Sequence, residues 1–283
     1  MSVRLFDIGR QKLADDADWD TDTIKVMQID LGVTDTMVKA ITSSTNATPI
    51  VVTCTAHGFA NGDIVYIRGI VTGTSGNGTW QIANQATNTF ELKTVKDNLS
   101  AVGNGVGSGG VVINLGASTT NLGQIDGGRI GTDQTLGTKT LVNGVLDAAD
   151  PTFTAVTGNV DAIVAYKDTG AAGTSPPLIW IDGKMQIVVA ADAAGSATLL
   201  WVEQLAGPIA SGIAFVTSAG VTVTTTSSAV AGARSLAVSA LSGAVAAGHT
   251  ADVATTGAGL PFTGGGGSYT YQFDNGVNKI IKL

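Results

Sequence analysis

Short runs of β-branched and aromatic residues, separated by Gly, Asn and Asp, recur along most of the chain. Between residues 41 and 115 four such runs follow one another at intervals of about ten residues, a rhythm typical of antiparallel strands joined by tight turns. The runs are ATPIVVTCTAHGF, GDIVYIRGI, GTWQIANQ and NTFELKTV. We therefore predict an all-β protein whose base domain is an antiparallel β-sandwich or barrel, with small β modules inserted into it.

The N-terminal segment has a different pattern. From Arg4 to Leu13 the apolar residues return at roughly helical spacing, which predicts one short N-terminal helix, weakened by Gly9. The next run, Thr23 to Leu31, alternates as a strand does and predicts Ile24 and Val26 on the same face.

Further β-runs follow residue 115. Asn143-Gly144 lies between two alternating runs and predicts a two-residue hairpin turn, whereas Pro176-Pro177 belongs at the start or edge of a strand. The changes of composition along the chain predict a base domain interrupted by two modules. The predicted division is base domain 1–40, 116–204 and 268–283 (its C-terminal strand), a barrel-like module 41–115, and an Ala/Gly/Thr-rich module 205–267.

The amino-acid composition argues against several classes of function. Charged residues make up 13% of the chain, against the usual quarter, and the formal net charge is -7. A chain that is acidic and poor in Lys and Arg is a weak polyanion binder, so we expect no nucleic-acid contact. Cys54 is the sole cysteine, so no internal disulfide forms. We expect no signal peptide and no membrane segment, because Gly, Thr and Ser interrupt every long apolar stretch.

The candidate nucleophile pair is Cys54 with His57, but residues three apart on a strand point to opposite faces. We expect Cys54 in the core and His57 at the turn before Gly58. The glycine-rich GNGVGSGG (103–110) lacks a following helix pattern and a Lys-Ser/Thr pair, so it predicts a flexible β connection and not a phosphate loop.

Acidic residues are the remaining candidates for chemistry. The run Asp15 to Asp22 predicts a solvated turn, although such a run can bind a cation. Paired carboxylates would suit glycoside hydrolysis, but nothing gathers aromatic residues beside them. The carboxylates considered are Asp147, Asp150, Asp161 and Asp168, and the tryptophans are Trp19, Trp80, Trp180 and Trp201. We predict no enzyme activity and no catalytic, cofactor or metal site.

Four residues are predicted to have structural roles. Trp19 is expected to hold the opening turn on the base domain, and Trp80 to fill the core of the first module. Phe273 is expected to pack in the last strand. Gly276 is expected to complete its turn, Asp274-Asn275-Gly276, with a positive φ.

Three pieces of the sequence, in the same order, resemble structural proteins of tailed bacteriophages. They are LFDIGRQKLADDADWDTDTIKVMQIDL, DAADPTFTAVTGNVDAIVAYKDTGAAGTSPPLIWID and FDNGVNKIIKL, and together they cover about half of the chain. The first contains a W-x-x-D-x-I-K element at Trp19, Asp22, Ile24 and Lys25. The resemblance implies a base domain that begins with a short helix leading into the first strand.

The insertions resemble other phage sequences. The first is similar to a small β module of phage tail and fibre proteins that is also described from the ubiquitin-activating enzyme, and in phage it implies no ubiquitin chemistry. Its motifs are His57-Gly58-Phe59, Gly62-Asp63-Ile64-Val65 and Asn77-Gly78-Thr79-Trp80. The block from Ile209 to Asp252 resembles stretches of phage head and surface proteins.

The resemblance implies a virion protein assembled in the host cytoplasm. The leading hypothesis is a capsid decoration (cement) or head-fibre protein that binds the major capsid protein and itself, as a homo-oligomer for which we favour a trimer. The alternative is a tail- or neck-associated fibre or adhesin that binds host surface glycans. An enzyme acting on the cell envelope and a secreted bacterial β protein remain as further hypotheses.

Overall fold

The computed structural model describes residues 2–15, 17–182, 184–203, 205, 209, 211–217, 220–230, 233–254, 262–270 and 281–282. These residues contain one helix, α1 (Asp7–Asp15), two 3-10 turns, Thr74–Gly76 and Leu122–Gln124, and 27 short strands. In chain order the first strands are β1 (Ser2–Leu5), β2 (Ile24–Ile29), β3 (Val38–Ala40), β4 (Ser43–Ser44), β5 (Val51–Thr53), β6 (Ile64–Arg68), β7 (Val71–Thr72), β8 (Gly78–Ala83), β9 (Thr89–Lys93), β10 (Gly107–Ser108) and β11 (Val111–Asn114).

The later strands are β12 (Arg129–Thr135), β13 (Thr140–Val142), β14 (Val145–Asp147), β15 (Thr152–Phe153), β16 (Thr157–Val160), β17 (Ala162–Lys167), β18 (Pro177–Asp182), β19 (Lys184–Val188), β20 (Leu199–Trp201), β21 (Ala214–Val216), β22 (Thr222–Thr224), β23 (Ser235–Ala237), β24 (Thr250–Ala254), β25 (Phe262–Gly265), β26 (Tyr269–Thr270) and β27 (Ile281–Lys282). The mostly-β class with one short N-terminal helix is thus confirmed.

A five-stranded antiparallel sheet, the base sheet, lies at the centre of the structure in the order β1-β18-β17-β2-β12. Both of its faces are buried, which is why β17 and β18 read as nearly continuous apolar runs, AIVAY and PLIWI. Met27, Ile29 and Trp180 on one face belong to a core shared with the nine-stranded sheet. Ile24 and Val26 share the opposite face, as predicted, and contribute to a second core with the short strands of residues 140–160.

The nine-stranded sheet closes on itself. Its strand order is β3-β11-β6-β8-β9-β5-β4-β10-β7. Three of its strands are bent and are each divided into two named parts, namely β3 and β4, β6 and β7, and β10 and β11. Because β4 pairs with β10 and β3 pairs with β11, the first bent strand meets the last along its whole length. The result is a barrel of six strands, three of them bent, called the barrel below.

Glycines make the bends of this barrel. Gly69 and Gly110, with φ of +80° and +90°, lie at the bends between β6 and β7 and between β10 and β11. A Cβ at Gly110 would come within 2.7 Å of the Arg68 carbonyl oxygen. Within residues 103–110, the predicted flexible β connection, Gly107 and Ser108 form β10 and pair with both β4 and β7, so this part of the connection belongs to the barrel.

The N-terminal helix begins later than predicted. Residues 2–5 form β1, which pairs with β18, and α1 then spans Asp7–Asp15. Gly9 is buried in α1, and a Cβ there would overlap the Leu178 carbonyl group. Gly9 therefore permits the close approach of the helix to the base sheet, at some cost in helix propensity.

The stretch from β19 to β24, called the third unit below, has its own core. Its strands form three pairs, β19-β24, β20-β23 and β21-β22, around a set of buried aliphatic residues and Phe215. One contact with the barrel is at Gly220, where an added Cβ would come within 3.3 Å of the Asn104 Cβ.

Two ion pairs lie where the base sheet meets the barrel, and Arg4 and Arg68 each link the two. Arg4 on β1 donates to Asp182 (3.1 Å) and stacks over Tyr66 of the barrel, with its guanidinium carbon 3.6 Å from the ring centre. Arg68 of the barrel donates to Asp161 (3.0 Å), whose second oxygen accepts the Leu31 N–H. Shared core and ion pairs together make base sheet and barrel one packed body.

Other local predictions can be compared with the structure. The Asn143-Gly144 turn is confirmed: both residues have positive φ, and Val142 pairs with Val145. The predicted division into base domain and modules stays a prediction, with β3 of the barrel lying just before residue 41. Within the described residues, no helix is long and apolar enough to cross a membrane.

Candidate functional site

A polar pocket of about 440 Å³ lies at the β12 edge of the base sheet. Neighbouring strands β2, β12 and β17 form its floor, and the loop between β17 and β18 forms its wall. Its lining residues are Lys25, Leu122, Arg129, Gly131, Thr132, Asp133, Tyr166, Asp168, Gly170, Ala171, Ala172 and Ser175.

A bulge in β12 directs Asp133 towards this floor. The pairing of β12 with β2 shifts register between Ile130 and Gln134, and Gly131 has a φ of +65°. Bulges of this kind re-aim a side chain, and here Asp133 Oδ2 accepts hydrogen bonds from Tyr166 and from Arg129 (2.6 Å). Arg129 also donates to Asp126 (2.9 Å). Asp133 Oδ1 is buried and accepts no hydrogen bond from the described residues.

Burial, followed by the hydrogen bond to Asp133, raises the pKa of Tyr166. Burial lowers the pKa of Arg129, but Asp133 and Asp126 more than offset this effect and hold it above its ordinary value. Both groups therefore stay protonated across the physiological range and act as hydrogen-bond donors to carboxylates.

A second ion pair lies across the pocket. Lys25 donates to Asp168 (2.6 Å), and this hydrogen bond, helped by the Gly170 N–H, lowers the pKa of Asp168. A general acid or base works best with a pKa near the working pH. The pKa of Tyr166 is raised and that of Asp168 is lowered, so both move away from neutral pH and neither side chain is suited to that role. The pocket is suited to holding β2, β12 and the 168–175 loop together.

The Cys54 and His57 positions were the candidate nucleophile and base. Both side chains are buried in or beside the barrel core, and burial raises the pKa of Cys54 to about 11. His57 Nε2 lies 2.7 Å from the Ala86 carbonyl oxygen, and its Nδ1 accepts the Phe59 N–H (3.0 Å). Both ring nitrogens thus fasten the turn at Gly58, where φ is +71°.

The candidate carboxylates lie in different places. Asp161 and Asp168 flank the two ends of β17, so about 20 Å of strand separates them, far more than the roughly 5–9.5 Å between glycosidase carboxylates. Asp161 pairs with Arg68 and Asp168 with Lys25. Asp147 lies at the end of β14 and Asp150 in the exposed loop after it. The described residues contain no group of three or more His, Cys, Asp and Glu placed to hold a metal ion.

The structural candidates occupy distinct cores. Trp19 is buried in the second core, and its Nε1 donates to the Asp147 carbonyl oxygen (2.9 Å). Trp80 is buried in the barrel, and its Nε1 donates to the Gly76 carbonyl oxygen (2.9 Å). Phe273 and Gly276 lie outside the described residues.

The third unit presents an exposed face that sequence reasoning missed. Leu199 and Trp201 point outward from β20, 40% and 51% exposed, while Leu200 between them is buried. Val216 points outward from β21 in the same way. The alternation of side chains along LLWV and AFV predicts strands with two faces. Because the outward and the inward positions are both apolar there, the sequence does not indicate which face is buried.

No protein-family model matches the sequence, and no curated protein is significantly similar to it.

Proposed function

We propose that this protein is a structural component of a tailed-phage virion, a capsid decoration (cement) or head-fibre protein that binds the major capsid lattice. The observation that carries the proposal is where the charged and the apolar side chains lie. Charged side chains such as Arg4 and Arg68 are used inside the molecule as joints, whereas apolar side chains such as Leu199 and Trp201 remain on the surface. The resemblance of the N-terminal, middle and C-terminal pieces to phage structural proteins adds to it.

The proposed role needs a rigid base and an exposed contact surface. Base sheet and barrel share one core, and two ion pairs with little exposure lie where they meet, which supports a rigid base. A decoration protein stabilises a capsid by burying apolar surface between capsomers. Exposed apolar side chains can form such contacts. The exposed large apolar residues of the barrel are Val71, Val95, Leu99, Val102 and Val106.

The test is the molar ratio of this chain to the major capsid protein in purified particles of the phage that encodes it, measured by quantitative mass spectrometry. About one copy per capsid subunit, or about one trimer per capsomer, is the expected result for a decoration protein. A ratio of about one per hundred would assign the protein to the neck or tail. Absence from the particles would overturn the structural role.

A second candidate is a tail- or neck-associated adhesin, which the half-exposed Trp201 favours. Trp201 pairs with the small residue Ser235 on the neighbouring strand, and a sugar ring can stack on an exposed aromatic face. The check is binding of the full chain to purified host envelope polysaccharide, with Trp201→Ala as the variant. Binding that the variant loses would support the adhesin, and no binding would count against it.

A further inference from the structure

Asn-Gly pairs are places where a protein backbone can react with its own side chain. The backbone nitrogen of the glycine attacks the side-chain carbonyl carbon of the asparagine, and glycine has no side chain to hinder the approach. The sequence contains five such pairs, and the first four lie within the described residues: Asn61-Gly62, Asn77-Gly78, Asn104-Gly105, Asn143-Gly144 and Asn275-Gly276. The surroundings of those four pairs differ.

Two of these asparagines are fixed on the barrel by hydrogen bonds. Asn77 Oδ1 accepts from the Ile70 N–H (2.9 Å), and its Nδ2 donates to the Ile70 carbonyl oxygen (3.0 Å). Asn104 Oδ1 accepts from the Ser75 N–H (3.0 Å), and the Asn104 N–H donates to Ser75 Oγ (3.1 Å). Both side chains must therefore be released before they can reach the next backbone nitrogen.

The Asn61-Gly62 pair is exposed, but both of its reacting groups are hydrogen-bonded. Asn61 Oδ1 accepts from the Gln85 N–H (2.9 Å). The Gly62 N–H, which would supply the attacking nitrogen, donates to the Ile82 carbonyl oxygen (2.9 Å). Exposure to solvent alone therefore does not free this pair for ring closure.

At Asn143-Gly144 the same groups are free. Asn143 is exposed, and among the described residues neither its carboxamide nor the Gly144 N–H has a hydrogen-bond partner. The pair forms the turn between β13 and β14, and its positive φ angles must change before a ring can close. This change costs little, because β13 (Thr140–Val142) is exposed along its whole length and lies at the edge of its sheet, so the end of the hairpin opens easily.

We propose that Asn143 is a site of spontaneous deamidation that the fold selects over the three hydrogen-bonded pairs. The Gly144 nitrogen forms a bond to Asn143 Cγ, its proton passes to the carboxamide nitrogen, and the Cγ–Nδ2 bond breaks to release ammonia. Water then opens the resulting succinimide ring at one of its two carbonyl carbons, which leaves aspartate or isoaspartate.

Both products change the hairpin. Either one adds a negative charge to a chain whose formal net charge is already -7, and isoaspartate also lengthens the backbone of the turn by one carbon atom. We therefore expect the register between β13 and β14 to loosen after the reaction, because the length of a hairpin loop fixes the register of its strands. The inference concerns the purified chain and does not rest on the proposed function.

The experiment is incubation of the full chain at mildly alkaline pH in water enriched in a heavy oxygen isotope, followed by digestion at acidic pH and peptide mass spectrometry. The heavy oxygen marks the residues that are converted during the incubation. We expect Asn143 to convert at least about tenfold faster than Asn61, Asn77 or Asn104, because each of those pairs must first break two hydrogen bonds. In concentrated urea the four rates are expected to become similar, since the fold that separates them is lost.

Two variants provide matched controls. Asn143→Gly keeps the turn, because Gly-Gly suits the same hairpin geometry, and it should remove one acidic species from the ion-exchange profile of the incubated protein. Asn61→Gly removes the other exposed pair and should leave that species unchanged. Peptide mapping separates the product of Asn143 from any product of Asn275-Gly276, which lies outside the described residues.

Three results would overturn the inference. They are equal rates at Asn143 and Asn61 in the folded chain, an order of rates that concentrated urea does not change, and an acidic species that Asn61→Gly removes and Asn143→Gly does not.

Discussion

At the scale of single residues, the buried charges of this protein connect elements that are distant in sequence. Arg4 contacts three of them: its guanidinium donates to Asp182 of β18, its Nε lies 3.4 Å from Thr79 Oγ1 of the barrel, and its plane covers Tyr66. The side chains of Arg4 and Asp182 are 9% and 1% exposed, so solvent screens the pair weakly. The joint between base sheet and barrel is therefore sensitive to the loss of one partner.

Replacing this arginine tests the joint. We expect Arg4→Met to lower the free energy of unfolding by about 3–5 kcal/mol, because the variant leaves Asp182 buried without its main cation. Arg10→Met is the matched control: Arg10 pairs with Asp7 on the exposed side of α1, and its loss should cost less than about 1 kcal/mol. Urea denaturation of both variants gives the comparison, and equal small losses would show that Arg4 is not a joint.

His249, in the third unit, makes stability depend on pH. Burial lowers its pKa below the ordinary value of about 6.5, so the folded state favours the neutral ring. The stability linked to this group is fully present above pH 6.5 and decreases as the pH falls through the lowered, folded-state pKa. We expect the melting temperature of the third unit to fall between pH 7.5 and 5.5, and His249→Gln to reduce that slope. An identical slope in the variant would exclude His249 as the cause.

At the scale of elements, the turns were easier to predict than the partners of the strands. Asn143-Gly144 is local information, since two residues with positive φ suffice to define a hairpin. Strand β1 was missed because its four residues, SVRL, carry no pattern of their own and become a strand by pairing with β18, far along the chain. The pocket was missed for the same reason: Lys25, Arg129 and Tyr166 meet through sheet pairing that no spacing reveals.

The glycines of the barrel bends provide an element-scale prediction. Gly109 and Gly110 are adjacent and both have positive φ, but a Cβ at Gly109 meets nothing within 4 Å, whereas one at Gly110 meets backbone at 2.7 Å. We expect Gly109→Ala to cost about 1 kcal/mol, the ordinary penalty of a left-handed alanine. Gly110→Ala should cost clearly more, about 2–4 kcal/mol, because backbone of β6 must also move. Thermal and urea unfolding compare the two, and equal costs would mean that the bend has room for a side chain.

At the scale of the whole molecule, the hydrophobic cores define which parts of the structure unfold together. One core contains residues of both the base sheet and the barrel, such as Met27 and Leu92, although the sequence favours separate modules for them. The third unit keeps its own core, which includes Leu236. The sequence shows a change to Ala-, Gly- and Thr-rich composition near residue 205, but it could not reveal which neighbouring segments share a buried core.

These cores predict the pattern of amide hydrogen exchange. A Met→Ala or Leu→Ala change in a core costs about 2–5 kcal/mol and accelerates exchange throughout the body that it destabilises. We expect Met27→Ala, in the base sheet, to accelerate exchange in β6 and β11 of the barrel as well as in β17, because these strands bury the same core. We expect Leu236→Ala to accelerate exchange in β19 to β24 and to leave the barrel unchanged. An effect of Met27→Ala confined to the base sheet would contradict the shared body, and barrel exchange accelerated by Leu236→Ala would contradict the independence of the third unit.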